Sequence, residues 1–154
     1  MDHRARKFVN ETVNRRVAQP GYLFEEAGTP TQGCANEPQD MRVWVGIVLV
    51  AVGSDKQLNN GLRYQPITLP GEETGFVVQN IDDKGVLTGE IYNMDAKRFA
   101  DTLRLTHAIC YFSTQARTIS GPLRLSQTTH KHFTIRHLIV GCGRAPEGSV
   151  VMVE

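Results

Sequence analysis

The feature that most constrains the fold is a series of short apolar segments in the middle of the chain, separated by turn-forming clusters. These segments predict strands at 62–69, 75–81 and 86–92. They are bounded by residue types typical of β-turns, namely Asn59-Asn60-Gly61, Pro70-Gly71 and Asp82-Asp83-Lys84-Gly85. Because consecutive strands joined by tight turns usually pair with each other, this part of the chain predicts an antiparallel meander.

Further strands and one internal helix are predicted on either side of the meander. An apolar run at 43–52, with Gly46 inside it, predicts a central strand covered on both faces. A helix is predicted at 94–104, because Asn93 can act as its N-cap and apolar residues recur at helical spacing. The remaining predicted strands are 107–113, a hairpin of 118–126 with 130–140, and 149–153.

The length of 154 residues fits one domain with a single sizeable core. We therefore expect a mainly β protein, with an α+β arrangement as the alternative. The expected architecture is a single β-sandwich or barrel-like domain of seven to eight strands with one internal helix.

The first forty residues predict a separate N-terminal region. Val13 and Val17 recur at helical spacing among basic residues and predict a short basic amphipathic helix at 4–18, ended by Pro20-Gly21. Residues 22–40 contain two glycines and two prolines and show no sustained period, which predicts an irregular arm. The predicted division is therefore a helical and extended arm at 1–40 and a β-rich domain at 41–154.

Charge is sorted along the chain, although the total is close to zero. Residues 17–96 hold eleven acidic and four basic side chains, a net charge of −7, whereas residues 97–144 hold eight basic and one acidic, a net charge of +7. The whole chain has a formal net charge of only +1, so any contact with nucleic acid would have to be local. Such a chain can present one face to an anion and another to a cationic partner or to a copy of itself.

Composition and the N-terminus bear on the compartment. A hydrophobic fraction of 40% and a charged fraction of 21% are typical of a soluble globular domain. Three cysteines without a Cys-x-x-Cys pair favour a reducing compartment. The N-terminus lacks the apolar segment of a secretory signal, and the longest apolar run is about half of the roughly 20 residues that a membrane span needs. We expect a protein of the cytoplasm, or one assembled inside a cell as part of a virion, with no membrane partner.

Several basic side chains are candidates for binding anions or nucleic acid. In a strand at 130–140, alternation would place both histidines and Arg136 on one face, beside an arginine of the preceding strand, and this patch could bind phosphate or carboxylate. A solvated sheet face or a subunit contact is the simpler interpretation. The candidates are Arg15, Arg16, Arg124, His130, His132 and Arg136.

The histidine pair is also a weak candidate for a metal site. His130 and His132 have the spacing at which two imidazoles on one strand can bind one metal ion. No Asp or Glu occurs between residues 102 and 146 to act as a third ligand, and Cys142 would need a bulge or a turn to reach. No cofactor is expected, no nucleophile signature such as Gly-x-Ser-x-Gly is present, and a non-enzymatic role is favoured.

Three classes of function fit these observations. The first is a structural protein that self-assembles, such as a capsid, decoration or tail component of a virus or phage, using its N-terminal arm and charged faces to join other subunits. The second is a nucleic-acid-binding module with a basic sheet face. The third is a small metal-dependent enzyme that uses His130 and His132. The assembly hypothesis comes first because it accounts for the long irregular stretch and the β-rich body without requiring a catalytic site.

Overall fold

The computed structural model describes residues 3–25, 38–52, 57–71, 75–110, 118–119, 122–145 and 151–154. The chain divides into two compact units, His3–Ala108 and Ile109–Glu154, the second of which also takes in Met1–Asp2. The predicted division at residue 40 is not tested by these units and stays a prediction.

A five-stranded antiparallel sheet lies at the centre of the first unit, in the order β6-β5-β4-β3-β7. Its strands are β3 (Leu49–Ala51), β4 (Arg63–Thr68), β5 (Phe76–Ile81), β6 (Leu87–Met94) and β7 (Leu103–Leu105). Strands β4, β5 and β6 confirm the predicted meander, with each bound within two residues of its predicted place.

The turn between β5 and β6 shows why the sequence forms this meander. One carboxylate oxygen of Asp82 accepts the N–H groups of Lys84 and Val86, each at 2.8 Å. Gly85 takes a φ of +81°, which glycine adopts without the strain imposed by a Cβ atom. The cluster Asp82-Asp83-Lys84-Gly85 therefore supplies both the hydrogen-bond acceptor and the backbone freedom that the turn requires.

The apolar run predicted as one strand at 43–52 belongs to two different sheets, so that prediction is wrong. Strand β2 (Met41–Val43) pairs antiparallel with β1 (Tyr22–Phe24), whereas β3 lies in the five-stranded sheet. Gly46, with a φ of +95°, lies in the turn between β2 and β3. Strand β1 also lies within the stretch predicted to be irregular, of which residues 26–37 are outside the described residues.

Helix α1 (His3–Val17) confirms the predicted N-terminal helix, but it buries a different face. Arg6, Asn10 and Asn14 are 4%, 0% and 1% exposed, whereas the apolar Phe8 is 69% exposed. These three polar residues follow one another at intervals of four, so they form one stripe along the helix. The helix therefore docks through a polar stripe and not through the apolar one.

Two asparagine side chains hold α1 against the rest of the first unit. Asn10 accepts the N–H of Ala108 at 2.6 Å and donates to the carbonyls of Ala108 and Leu105 at 3.1 and 3.2 Å. Asn14 accepts the N–H of Arg42 at 2.7 Å and donates to its carbonyl at 2.9 Å. Each amide thus satisfies both backbone groups of one residue, as a neighbouring strand would do.

Helix α2 (Ala96–Thr102) lies inside the predicted range of 94–104. Its N-cap is Asp95, not Asn93, because the Asp95 carboxylate accepts the N–H of Arg98 at 2.7 Å. At the other end of the helix, the buried guanidinium of Arg104 donates to the carbonyls of Ala100, Asp101 and Leu103. A cation bound to the last carbonyls of a helix is favoured by the helix dipole.

An aromatic cluster joins α2 to the sheets of the first unit. The rings of Phe76 on β5 and Phe99 on α2 lie 4.1 Å apart between centroids, and Phe24 on β1 lies 5.4 Å from each of them. All three are at most 3% exposed. The core of this unit is therefore built on one face of the five-stranded sheet.

The second unit contains β8 (Leu123–Leu125), α3 (Ile135–Cys142) and β9 (Val151–Val153). Strands β8 and β9 pair in parallel, which confirms strands within the predicted ranges 118–126 and 149–153. The prediction of a strand at 107–113 is not confirmed, since 107–110 form none and 111–113 lie outside the described residues.

The predicted strand at 130–140, and with it the hairpin to 118–126, is wrong. Residues 128–132 form turns and α3 begins at Ile135. The ring nitrogen Nδ1 of His137 accepts the N–H of Thr134 at 3.1 Å, a capping interaction that fixes the start of the helix. The alternation of polar and apolar residues in this segment suggested a strand, but this local cap favours a helix.

Strand is the main regular structure, with nine strands and three helices in the part of the chain that the structure describes. The prediction of seven to eight strands and one internal helix is therefore too low in both counts. No sheet closes on itself among the described residues, so neither a sandwich nor a barrel is confirmed.

Candidate assembly surfaces

Two of the predicted anion-binding residues lie on α1. Arg15 and Arg16 are in its last turn and are exposed, and the Arg15 guanidinium lies 3.6 Å from the carboxylate of Asp40. Basic side chains in this position interact favourably with the negative end of the helix dipole. Their structural surroundings thus account for both arginines, and an anion-binding role for them stays a prediction.

The other four lie in the second unit and do not form a sheet face. Arg124 is on β8 and its guanidinium pairs with the Glu154 carboxylate. His130 and His132 lie in the turns before α3 with their ring centroids 5.4 Å apart, and Arg136 is exposed in the first turn of α3. The strand alternation that was expected to align these side chains is absent, so the prediction that they bind anions loses that support.

The histidine pair has no third ligand in the described ranges. No three His, Cys, Asp or Glu side chains of those residues come together in a way that could hold a metal ion. The Nδ1 atom of His130 lies 3.3 Å from the backbone nitrogen of His132, which donates to it. The pair therefore stays a two-ligand candidate, and two ligands alone hold a metal poorly.

A groove of about 350 Å³ lies between the end of α1 and the β1–β2 pair. Two guanidinium groups, of Arg15 and Arg42, and two carboxylates, of Glu25 and Asp40, line it. The Asn14 side chain also borders the groove, but its amide is bonded to the Arg42 backbone. Balanced charge and a mixed lining favour no single class of ligand.

An exposed apolar surface lies on strand β6, at the edge of the five-stranded sheet. Leu87 and Ile91 are 43% and 59% exposed. They lie opposite Ile81 and Gln79 of β5, which are two residues apart, so both project from the same face of the sheet. Val78, next to Gln79 in the strand, is fully buried on the other face. We call this exposed side the β6 surface, and it consists of Leu87 and Ile91 with the exposed Val86 that precedes the strand.

The β5–β6 hairpin that carries this surface is acidic. The β5–β6 hairpin, residues 76–94, contains three acidic residues and one basic residue, Lys84. Asp83 is partly neutralised, because its carboxylate pairs with the guanidinium of Arg63 at 2.5 Å. Glu90 is next to Ile91 in the strand, and neighbouring residues of a strand project to opposite faces, so its carboxylate does not lie beside Ile91.

A second exposed apolar surface lies on α3, in a basic segment. Ile135 and Ile139 are 70% and 65% exposed and are four residues apart, so they lie on one side of the helix. Residues 127–142 contain two basic residues, Lys131 and Arg136, three histidines and no acidic residue. We call Ile135, Ile139, Lys131 and Arg136 the α3 surface.

Sequence reasoning missed both surfaces because it assigned every apolar side chain of a predicted element to the core. In a strand at 130–140, Ile135 and Ile139 would have faced inward, whereas the helix exposes them. The available signal was the spacing of Ile135 and Ile139, which are four residues apart and would lie on one side of a helix. Isolated exposed apolar residues are ordinary, but a pair on one side of a short helix is more characteristic of an interface.

No protein-family model and no curated protein matches this chain. None of the helices in the described part of the chain is long and apolar enough to span a bilayer. Function must therefore be inferred from the residues and surfaces described above.

Proposed function

We propose that the protein is a structural subunit that assembles with copies of itself, in the manner of a capsid, decoration or tail component of a virus or phage. The observation that supports this proposal is the exposure of apolar side chains on two separate surfaces, on β6 and on α3. An exposed apolar patch beside charged residues is characteristic of protein–protein contact sites. A protein with two such sites can join more than one neighbour.

The energetic argument favours several contacts per subunit. Burying an exposed isoleucine stabilises an association by about 1.5–3 kcal/mol, so the pair on α3 contributes roughly 3–6 kcal/mol. Association of two proteins costs about 4–15 kcal/mol of translational and rotational freedom. Contacts on this scale become stable when each subunit makes more than one of them, which is the situation in a closed or extended assembly.

Nucleic-acid binding is the second candidate function. The observation that favours it is the basic turn and helix at 127–142, which include Lys131 and Arg136 and contain no acidic residue. Contacts with phosphate are polar and strongly salt-dependent. The exposed isoleucines in the same segment, Ile135 and Ile139, fit a protein surface better than a phosphate backbone. The metal-enzyme hypothesis has no third ligand among the described residues to support it.

Light scattering after size-exclusion chromatography tests the assembly proposal on the full chain. Samples loaded from about 1 to 100 μM bracket the affinities of weak and moderate interfaces. We expect the molar mass to rise above that of the 17.1 kDa monomer toward a discrete oligomer or a large particle. A monomer at every loading concentration, in low and in high salt, would reject the proposal.

Binding of a labelled oligonucleotide, followed by fluorescence anisotropy at low and high salt, separates the two candidates. A strictly monomeric protein that binds the oligonucleotide, with affinity lowered by Arg136→Ala, would favour the nucleic-acid role. Replacement of the exposed Val45 by Ala provides a matched control outside the basic segment.

A further inference from the structure

We propose that α1 is an exchangeable arm, which leaves its own subunit and docks in the same way on a second copy of the chain. The hinge of this arm is residues 18–20, between the end of α1 and Gly21. This inference rests on the proposed function of self-assembly and names the element that joins two copies. The evidence is the chemistry of the α1 contact, the groups that α1 covers and the length of the hinge.

Polar side chains make the contact between α1 and the rest of the first unit. Arg6, Asn10 and Asn14 are the buried residues among those described on the helix, whereas its largest apolar side chain, that of Phe8, is 69% exposed. Water can replace the hydrogen bonds of such polar groups when they leave a protein interior. The helix can therefore detach without exposing a large apolar face of its own.

The groups that α1 covers are the backbone edges of two strands. Asn14 bonds to the N–H and the carbonyl of Arg42 on β2. Asn10 bonds to those of Ala108 and to the carbonyl of Leu105 on β7. Among the described strands, β2 pairs only with β1 and β7 only with β3, so each presents its other edge to the helix. An uncovered strand edge readily binds another chain segment.

The segment that fits these edges is the one already bound there. An α1 from a second copy carries the same two asparagines at the same spacing and can make the same five hydrogen bonds. Exchange of an identical element between copies therefore keeps every contact that α1 makes in its own subunit, which is why such exchange is an accessible route to oligomers.

The hinge is short and held at its far end. Gly21 lies so close to β2 that a Cβ atom on it would overlap the carbonyl oxygen of Val43. The chain is therefore fixed at Gly21, and the change of direction falls to Ala18, Gln19 and Pro20. The ring of Pro20 restricts its φ. Short hinges with little freedom favour exchange, whereas longer ones let an element return to its own subunit.

Exchange competes with docking on the same chain. A short flexible linker holds a segment at an effective concentration on the order of 1 mM, about tenfold above a protein concentration of about 100 μM. A stiff hinge lowers that effective concentration and so favours a second copy. Reciprocal exchange between two copies gives a closed dimer, and passing α1 on to the next neighbour gives a ring or an open chain.

Cross-linking between two different variants of the full chain tests the exchange. The guanidinium of Arg15 on α1 lies 3.6 Å from the carboxylate of Asp40, and the two side chains are 73% and 36% exposed. Arg15→Cys and Asp40→Cys are made separately in a chain whose three natural cysteines are replaced by serine. The two variants are mixed in equal amounts in urea, refolded together and treated with a bismaleimide about as long as an arginine side chain.

We expect a covalent dimer in the mixture. Random pairing places the two variants together in at most about half of the dimers, which sets the upper limit of the yield. Each variant treated alone measures any link between identical cysteines and is expected to give little dimer. The double variant Arg15→Cys/Asp40→Cys reports α1 docked on either chain and is the positive control.

A matched variant and a hinge variant separate exchange from simple proximity. Lys84→Cys lies in the β5–β6 turn, to which none of the Asn10 and Asn14 hydrogen bonds runs, and its mixture with Arg15→Cys is expected to give no covalent dimer above background. Insertion of Gly-Gly-Ser after Ala18 restores a flexible linker and is expected to lower the inter-chain yield about tenfold at about 100 μM.

Circular dichroism of each variant checks that it is folded. If Asp40→Cys is unfolded, Glu25→Cys in the same groove beside Arg15 takes its place.

The outcomes separate this inference from the proposed function. A wild-type protein that assembles while the mixture of Arg15→Cys and Asp40→Cys gives no inter-chain link would overturn the exchange and leave the assembly proposal standing. A yield that the Gly-Gly-Ser insertion leaves unchanged would also overturn the exchange, since neighbouring subunits would then bring the cysteines together without it. A wild-type protein that is monomeric at every concentration would reject the assembly proposal itself.

Discussion

Replacement of Asn10 is the sharpest test of how α1 is held in place. This side chain is 0% exposed and makes hydrogen bonds to both backbone groups of Ala108 and to the carbonyl of Leu105. Asn10→Ala removes all three while leaving the helix backbone intact. A buried backbone group that loses its partner costs about 1–3 kcal/mol. With each of the three groups left behind in the lower half of that range, the total is expected to be about 3–5 kcal/mol.

Helix propensity acts in the opposite direction and is smaller. Alanine is favoured over asparagine in a helix by roughly 0.5–0.7 kcal/mol, which offsets only a small part of the loss. The net loss of about 3–4 kcal/mol is a large fraction of the roughly 5–15 kcal/mol by which a domain is stable. At about 2–4 °C per kcal/mol for a chain of this size, the melting temperature is expected to fall by about 10 °C.

Urea denaturation followed by tryptophan fluorescence measures this effect. Trp44 is the only tryptophan, and it packs against the core of the same compact unit as Asn10. Arg16→Ala, at an exposed position on the same helix, is the matched control and is expected to change stability by less than about 0.5 kcal/mol.

The isosteric variant Asn10→Asp distinguishes hydrogen bonding from packing. Aspartate has nearly the same shape and keeps an acceptor for the N–H of Ala108, but it would place a carboxylate against two carbonyl oxygens. We therefore expect Asn10→Asp to be at least as destabilising as Asn10→Ala. If Asn10→Asp were as stable as the wild type, or if Asn10→Ala cost less than about 1 kcal/mol, the hydrogen-bonding argument would be refuted.

Three other changes give expected results in the same fluorescence assay. Asp95→Ala removes the acceptor for the Arg98 N–H at the start of α2 and is expected to cost about 1 kcal/mol, whereas Asp95→Ser keeps most of the stability. In Arg104→Lys, one ammonium group cannot reach all three carbonyls that the guanidinium binds, so the free energy of unfolding is expected to fall by about 1–3 kcal/mol. An unchanged stability would argue against the guanidinium contacts. Desolvation lowers the pKa of His107 in the folded protein. As the pH drops through the usual histidine range, the unfolded chain therefore binds a proton that the folded protein does not, so the wild-type stability should fall. His107→Gln should remove that part of the pH dependence.

The sequence predicted the parts of the fold that depend on local signals. Strands β4 to β6 follow from apolar segments and from turn residues such as Asp82 and Gly85, which act within a few positions of one another. The existence of α1 and α2 follows from apolar residues at helical spacing. Each of these signals is contained in the segment that it predicts.

The errors arise where distant contacts decide the structure. The burial of α1 depends on backbone groups at Arg42 and Ala108, and nothing local shows that an asparagine stripe would face them. The division of the apolar run between β2 and β3 depends on which partner strands are present on each side of Gly46. The start of α3 is set by the contact between Thr134 and His137, whose residue types are less familiar as a cap than Ser with Glu.

The candidate site was predicted only in part. Charge sorting identified the acidic and basic segments that contain the two proposed surfaces. It did not identify the isoleucines, because exposure of an apolar side chain is a property of the folded unit. His130, His132 and Arg136 were grouped by an alternation that a helix does not have.

The long sequence separation of the α1 contacts has a consequence for the order of folding. Asn10 bonds to Ala108, 98 residues further along the chain, whereas the strands of the meander are joined by short turns. Closing a long loop costs more entropy than closing a short one, so local pairing is favoured to come first. During synthesis, α1 leaves the ribosome before any other helix or strand described here but has to wait for one of the last residues of its unit. Of the elements described here, the one made first is therefore expected to be among the last to dock.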